Sequence, residues 1–389
     1  MAGRGAFDDE PQHSGASCSL SWHLDYAWHA ARREADARRA TLSNATSIIA
    51  PGCCPAVVEF YGTKDKTNSN AAVANRCCIN RLDAHKLPPL RPFGGVSYRE
   101  FIRSALAQHE QPSILMIGDS LGEQLMLAML CKAWSEGYKV SFADIAYRAM
   151  YPKNATLGFA TAVATIRNTR HHETHNSSAG ALAALEVRFA RFQNPPTPDE
   201  IRSAVAGGNE SHVLLQSWFE RSVTHGWSAS RILSHAQQMI ASIVRLRPSA
   251  HLVAMDARAQ HFPGGKWRSD ARYPPANSSS EPSAACDDAV AEDTWYKTEL
   301  DWYNTKLSAL NALHGVVRIG PLQRYAGMFH VGYGLDRQPF LGGRDCLHWC
   351  LVPSMIDLWA SAAFGAFTAP CRTSSATLPL EAYPRTHFW

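Results

Sequence analysis

"ILMIGDSLGEQL", residues 114–125, changes its hydrophobic pattern half-way along. Ile114, Leu115, Met116 and Ile117 are consecutive apolar residues, the pattern of a strand covered on both faces. Beyond Ser120 the apolar positions are Leu121, Leu125, Leu127, Ala128, Met129 and Leu130, which suit a packed helix. A strand that breaks at a tight turn into a helix exposes whatever sits on the turn, and here that is Ser120. The helix N-terminus supplies free N–H groups and a partial positive charge, both suited to a developing oxyanion. Two readings of the turn stand: Ser120 is a nucleophile, or Asp119 or Ser120 is simply the helix N-cap.

Outward from this unit the chain alternates. "KVSFADIAY" (139–147), "HVLLQSWF" (212–219), "HLVAMDA" (251–257) and "GVVRIG" (315–320) read as further strands. Between and after them come helices: one behind the turn in "FQNPPTPDE", one from about residue 230, one over 288–313 and one ending near 367. The second of these carries Ile232, Leu233, Ala236, Met239, Ile240, Ile243 and Val244 along one side. Residues 150–200 read as mixed, with a polar loop in "RNTRHHETHNSS". Strand–helix alternation predicts an α/β fold, a parallel sheet with helices on both faces. Such sheets place chemistry at the C-terminal ends of strands, where Ser120 sits. The expected organisation is a peripheral or disordered region over 1–50, a cysteine-rich segment packed on the core over 51–110, a catalytic domain over 111–370, and a tail over 371–389.

The composition narrows the function. With 389 residues, 46% of them hydrophobic, the chain can bury a sizeable core without metal staples. The formal net charge is +4 and the basic residues are scattered, with no basic stripe interleaved by aromatics, so no nucleic-acid partner is expected. The Arg-rich piece "AARREADARRA" (31–41) also holds acids and reads as a solvated helix. No window approaches the roughly 18 apolar residues of a membrane span. The N-terminus lacks the apolar core of a signal peptide. No membrane anchor is therefore visible, and the oligomeric state is not legible. Yet ten cysteines, with sequons at Asn44, Asn154, Asn176, Asn209 and Asn277, point to an oxidising, secretory compartment.

A serine hydroxyl needs a base, and the base needs an orienter. "RDCLHWC" offers both: Asp345 and His348 stand three apart, so the carboxylate can reach one imidazole nitrogen and leave the other for Ser120. Cys346 and Cys350 could tie this loop to the body. A zinc site built on Cys346, His348 and Cys350 is disfavoured, because the chain contains no Cys-x-x-Cys pair. His171, His172 and His175 read as part of a solvated loop. No glycine-rich phosphate loop follows a strand, so neither a metal nor a nucleotide cofactor is expected.

Three blocks carry a resemblance. They are "LMIGDSLGEQLMLAMLC", with Cys131 eleven residues after Ser120; "ARAQHFPGGKW" (257–267) followed by Cys286; and "DCLHWCLVPSMIDLW" (345–359). Over about residues 50–367 the chain resembles the trichome-birefringence-like and PC-esterase family, within the GDSL/SGNH hydrolase-like superfamily. The resemblance implies a three-layer α/β/α fold with a central parallel sheet, SGNH- or flavodoxin-like, and a disulfide-tied N-terminal segment. It implies a Ser120–His348–Asp345 triad, in which Ser120 takes an acyl group, usually acetyl. His348 acts as base and then acid, and Asp345 fixes the imidazole tautomer. The implied activity is O-acetyl transfer to hydroxyls of a polysaccharide or glycan acceptor in the Golgi. An acetyl ester or thioester would be the co-substrate, with no bound cofactor. An acyl-ester hydrolase with the same triad, and an inactive glycan-binding homologue, are the alternatives.

The resemblance also implies Cys286–Cys346, with Cys131 and Cys350 each bonded to the segment holding Cys53, Cys54, Cys77 and Cys78. Candidate oxyanion or substrate residues are Gly118, Asp119 and Leu121 at the turn, Gln216 and Ser217 where the family has an asparagine, Gly158, and His261. Some positions depart from the family. Gly122-Glu123-Gln124 puts an acid where a base is usual, Val352 is an extra residue, and Ala259 stands at a proline position. Trp218, Trp267, Trp349 and Trp359 are either sugar-stacking faces or core.

Overall fold

The computed structural model describes residues 19–20, 54–64, 96–145, 160–168, 184–206, 208–224, 226–257, 295–313, 317–319, 347–351 and 353–369. Its strands are β1 (Ser19–Leu20), β2 (Ser113–Gly118), β3 (Tyr138–Ile145), β4 (Ala160–Asn168), β5 (Leu185–Arg191), β6 (His212–Leu215), β7 (His251–Met255) and β8 (Val317–Ile319). Its helices are α1 (Pro55–Lys64), α2 (Tyr98–Gln108), α3 (Ser120–Ser135), α4 (Pro198–Ala206), α5 (Phe219–Thr224), α6 (Ala229–Leu246), α7 (Trp295–Leu313) and α8 (Pro353–Thr368).

The apolar run Ile114–Ile117 forms β2, which lies inside the sheet between β5 and β6, parallel to both. Its side chains alternate between two buried clusters. Ile114 and Met116 join residues of α1, α2, α3 and α8. Leu115 and Ile117 join residues of α4, α5, α6 and α7. Each face of the strand is therefore dry, which is why the run has no polar alternation. Helix α3 is buried almost all round, from Leu121 to Cys131, so its sequence shows little amphipathic period. Lys132 Nζ pairs with Asp357 Oδ1 at 2.8 Å and ties α3 to α8.

The sheet is mixed, in the order β1-β8-β7-β6-β2-β5-β4-β3. It departs from the expected central parallel sheet at one strand, β4. β4 runs antiparallel to both β5 and β3, whereas the other described pairings are parallel. The reason lies in residues 150–200, read from sequence as mixed, which supply both β4 and β5. β4 buries Ala162, Ala164 and Ile166, and alanines give a weak two-residue period. β5 carries a readable one: Leu185, Val187 and Phe189 are buried in one cluster, with Glu186 exposed and Arg188 part-exposed between them. Ser19 and Leu20 form a two-residue edge strand that pairs with Arg318 and Ile319.

This order makes β2 the point where the chain changes direction across the sheet. After α3 it passes to the β3 edge and returns through β4 and β5. It then crosses to β6, β7 and β8 on the other side. Crevices at the carboxyl ends of strands flanking such a switch are where α/β sheets bind ligands. A disulfide, Cys54–Cys131, joins the start of α1 to α3 across 77 residues of sequence. Cys350 is also disulfide-bonded. α1 seats Val57, Phe60 and Tyr61 in the first core. Among the described residues no helix is long and apolar enough to cross a membrane.

Candidate active site

The turn between β2 and α3 is built around two glycines, one carboxylate and one amide. Asp119 is the N-cap of α3, and its Oδ1 accepts the Leu121 N–H at 2.8 Å. Gln216, just beyond β6, holds the same residue from the side. Its Oε1 accepts from Asp119 N at 3.1 Å and its Nε2 donates to Asp119 Oδ1 at 2.6 Å. Only this orientation of the amide makes both contacts donor-to-acceptor. A side chain on Gly118 or Gly122 would collide with Gln216 Oε1, so both glycines make room for the buried clamp.

Ser120 is the first residue of α3, and His348 meets it from 228 positions away: His348 Nε2 lies 2.7 Å from Ser120 Oγ. With the imidazole proton on Nδ1, the serine hydroxyl donates to Nε2, the geometry of a nucleophile with its base. His348 is buried to 7% exposure, and the loop behind it is pinned by a second glutamine. Gln124 Nε2 donates to Trp349 O at 2.7 Å, and Trp349 N donates to Gln124 Oε1 at 3.0 Å. Gln124 stands four residues after Ser120, on the same side of α3. One helix face thus carries Ser120 and the amide that holds the loop of His348. Trp349 packs its ring against Trp359 of α8 at 6.0 Å between centroids.

The sequence-predicted residues divide. Ser120 and His348 come together, and Gly118, Asp119 and Gln216 form their support. Leu121 offers no open donor, because its N–H goes to Asp119; the Asp119 N–H is likewise taken by Gln216. Among the described residues, the Ser120 and Gly122 backbone N–H groups have no partner. They are the donors at this helix start that an oxyanion could meet. Ser217 turns to the opposite core, with its Oγ 3.3 Å from Tyr303 Oη while accepting from Phe219 N. Trp218, Trp349 and Trp359 are at most 2% exposed, so they are core and offer no sugar-stacking face. Asp345, Gly158, His261, Trp267, Cys53, Cys77, Cys78, Cys286, Cys346 and the His171–His175 loop lie outside the described residues.

Sequence reading missed Gln124 as a support, although a buried-type helix face with an amide four residues after a candidate nucleophile was there to see. It also left Glu123 unexplained. That acid is 1% exposed and accepts from Tyr61 Oη at 2.7 Å and from Arg191 Nη1 at 2.9 Å.

No family model matches this chain, and no curated protein matches it.

Proposed function

We propose that the protein is a serine-dependent O-acyltransferase that moves an acyl group, acetyl in the first instance, onto hydroxyls of a glycan or polysaccharide. The observation that supports it is the 2.7 Å contact of His348 Nε2 with Ser120 Oγ at a helix N-terminus. In the first half-reaction Ser120 Oγ attacks the donor's acyl carbonyl while His348 takes the hydroxyl proton. The Ser120 N–H and the start of α3 face the oxyanion that develops. The tetrahedral species collapses, His348 returns the proton to the leaving group, and an acyl-serine remains. In the second half His348 deprotonates the acceptor hydroxyl, which attacks the acyl-serine and frees Ser120 as it regains its proton. Asp345 would orient the imidazole, a role carried by the resemblance to the trichome-birefringence-like and PC-esterase family. Membership of that family, with its SGNH- or flavodoxin-like three-layer fold, is part of the same proposal. So is a Golgi or extracellular location, which fits the disulfide between Cys54 and Cys131.

Water in place of the acceptor turns the same cycle into an esterase. One experiment separates these outcomes: disulfide-intact protein is mixed with p-nitrophenyl acetate, and nitrophenol release and intact mass are followed together. The expected result is an acetyl adduct that is absent in Ser120→Ala and that discharges onto added glycan. Fast steady release of acetate without acceptor would make it an esterase. A wild type indistinguishable from Ser120→Ala would overturn the acyl-serine reading and leave a glycan-binding role.

A further inference from the structure

The buried Glu123 poses a problem for any oxyanion at the start of α3. It lies three residues after Ser120, on the same helix face. A carboxylate there draws on the same helix-end potential that an oxyanion needs. In a dry site its charge reaches far. Two other elements meet this carboxylate. β5 delivers Arg191 because its Cα is in register with Gly118, the last residue of β2. Arg191 shares the parity of Leu185, Val187 and Phe189, which are buried in the core that contains α3. α1 delivers Tyr61, itself 3% exposed, and that helix begins at the Cys54–Cys131 bond. Arg191 Nη1 takes Glu123 Oε2 and Tyr61 Oη takes Oε1, so each carboxylate oxygen has its own donor. The other described ionisable groups at this turn are Asp119 on its own element and His348 on the facing loop.

We infer that Arg191, with Tyr61, is a positioning residue: it neutralises Glu123 so that the Ser120 turn keeps its positive potential and His348 stays neutral enough to act as a base. The inference rests on the acyl-serine reading. The sign follows from charge. Without Arg191 the carboxylate favours the imidazolium, so His348 holds its proton to higher pH. Without the carboxylate, Arg191 disfavours the imidazolium.

The test uses the full chain with Arg191→Met, Arg191→Lys, Glu123→Gln and the double variant Glu123→Gln/Arg191→Met. It follows the rate of Ser120 acetylation by p-nitrophenyl acetate across pH, with thermal melts. Arg191→Met is expected to slow acylation about tenfold or more and to move the acid limb of the profile to higher pH. Arg191→Lys keeps most of the rate. The double variant recovers to within about threefold of wild type and moves the limb back. Glu123→Gln alone, nearly isosteric, moves the limb to lower pH, and it decides the matter if Arg191→Met does not fold. An Arg191→Met protein with unchanged rate and profile overturns the inference, as does a double variant no faster than Arg191→Met. An unmoved limb in Glu123→Gln also overturns it. A wild type without Ser120-dependent acetylation would instead overturn the acyl-serine reading, and the inference would fall with it.

Discussion

Histidines occupy both ends of the sheet, in opposite settings. At the carboxyl end of β2, His348 turns Nε2 to a hydroxyl on a helix N-terminus, and two buried glutamines hold the pair. At the amino ends of β6 and β7, His212 and His251 are register partners, and His212 is packed among Phe101, Phe367 and His109. His212 is 3% exposed, and its Nδ1 lies 2.8 Å from Ser211 Oγ. Burial, then the neighbouring imidazoles of His251 and His109, push the basicity of His212 down to about 3. His251 is also lowered, by burial first and then by His109, against its hydrogen bond to the Ala366 carbonyl. An imidazole that stays neutral near pH 7 cannot cycle a proton there, so His212 is core. What separates His348 from His212 here is the partner presented to its ring and the support behind it. Proximity to other histidines does not do it.

The sharpest way to break this contrast is to exchange the damage. His348→Ala is expected to lower Ser120 acylation by about a thousandfold or more while the melting temperature changes little. His212→Ala should do the reverse. It should cost about 2–4 kcal/mol of stability through the cavity it opens, with the acylation rate of the folded fraction within about threefold of wild type. Assays of rate and melting on the same preparations check both.

Gln124→Leu comes next. It strips partners from the buried N–H and C=O of Trp349, which costs about 2–4 kcal/mol, and it frees the His348 loop. The rate should fall about ten- to a hundredfold, with a clearer loss in the rate of acylation than in binding of a product glycan.

The smallest effect sharpens the other end. Folded His212 stays neutral down to about pH 3, whereas the unfolded chain takes up a proton near pH 6.5. The unfolded state binds more protons through that window, so stability is present above it and falls as pH drops from 6.5 towards 3. By pH 5 this group alone removes about 2 kcal/mol. Thermal melts from pH 7 to 5 should show the loss, and His212→Gln should flatten the slope. A slope unchanged by that substitution would place the acid sensitivity elsewhere.

Much of this was written locally. The break in pattern at Gly118-Asp119-Ser120 announces strand, turn and helix, because each has its own period and they abut. The helices with one apolar side, such as Ala229–Leu246, were equally plain. β4 was hidden because its inward residues are two alanines and one isoleucine. β5 was missed as well, despite its readable period, and the mixed character comes from β4, which runs antiparallel to both its neighbours. The site itself is less local. The Asp-Cys-x-His-Trp-Cys block singles out His348, but no spacing shows that it meets Ser120 across 228 residues. The roles of Gln124 and Gln216 depend on which backbone atoms the fold brings opposite their amides. Periodicity says that such residues are buried and leaves open what they hold. The tryptophans teach the converse: aromatic content near a glycan hypothesis says little until burial is known.

The central claim is that His348 makes Ser120 a nucleophile. The most direct measurement is labelling by a serine-directed fluorophosphonate, with the modified residue located by peptide mass, in wild type, His348→Ala and His212→Gln. The account predicts a phosphonylated Ser120 in wild type and in folded His212→Gln, and labelling slowed by about a hundredfold or more in His348→Ala. Equal labelling of Ser120 with and without His348, or a label on another serine, would contradict it.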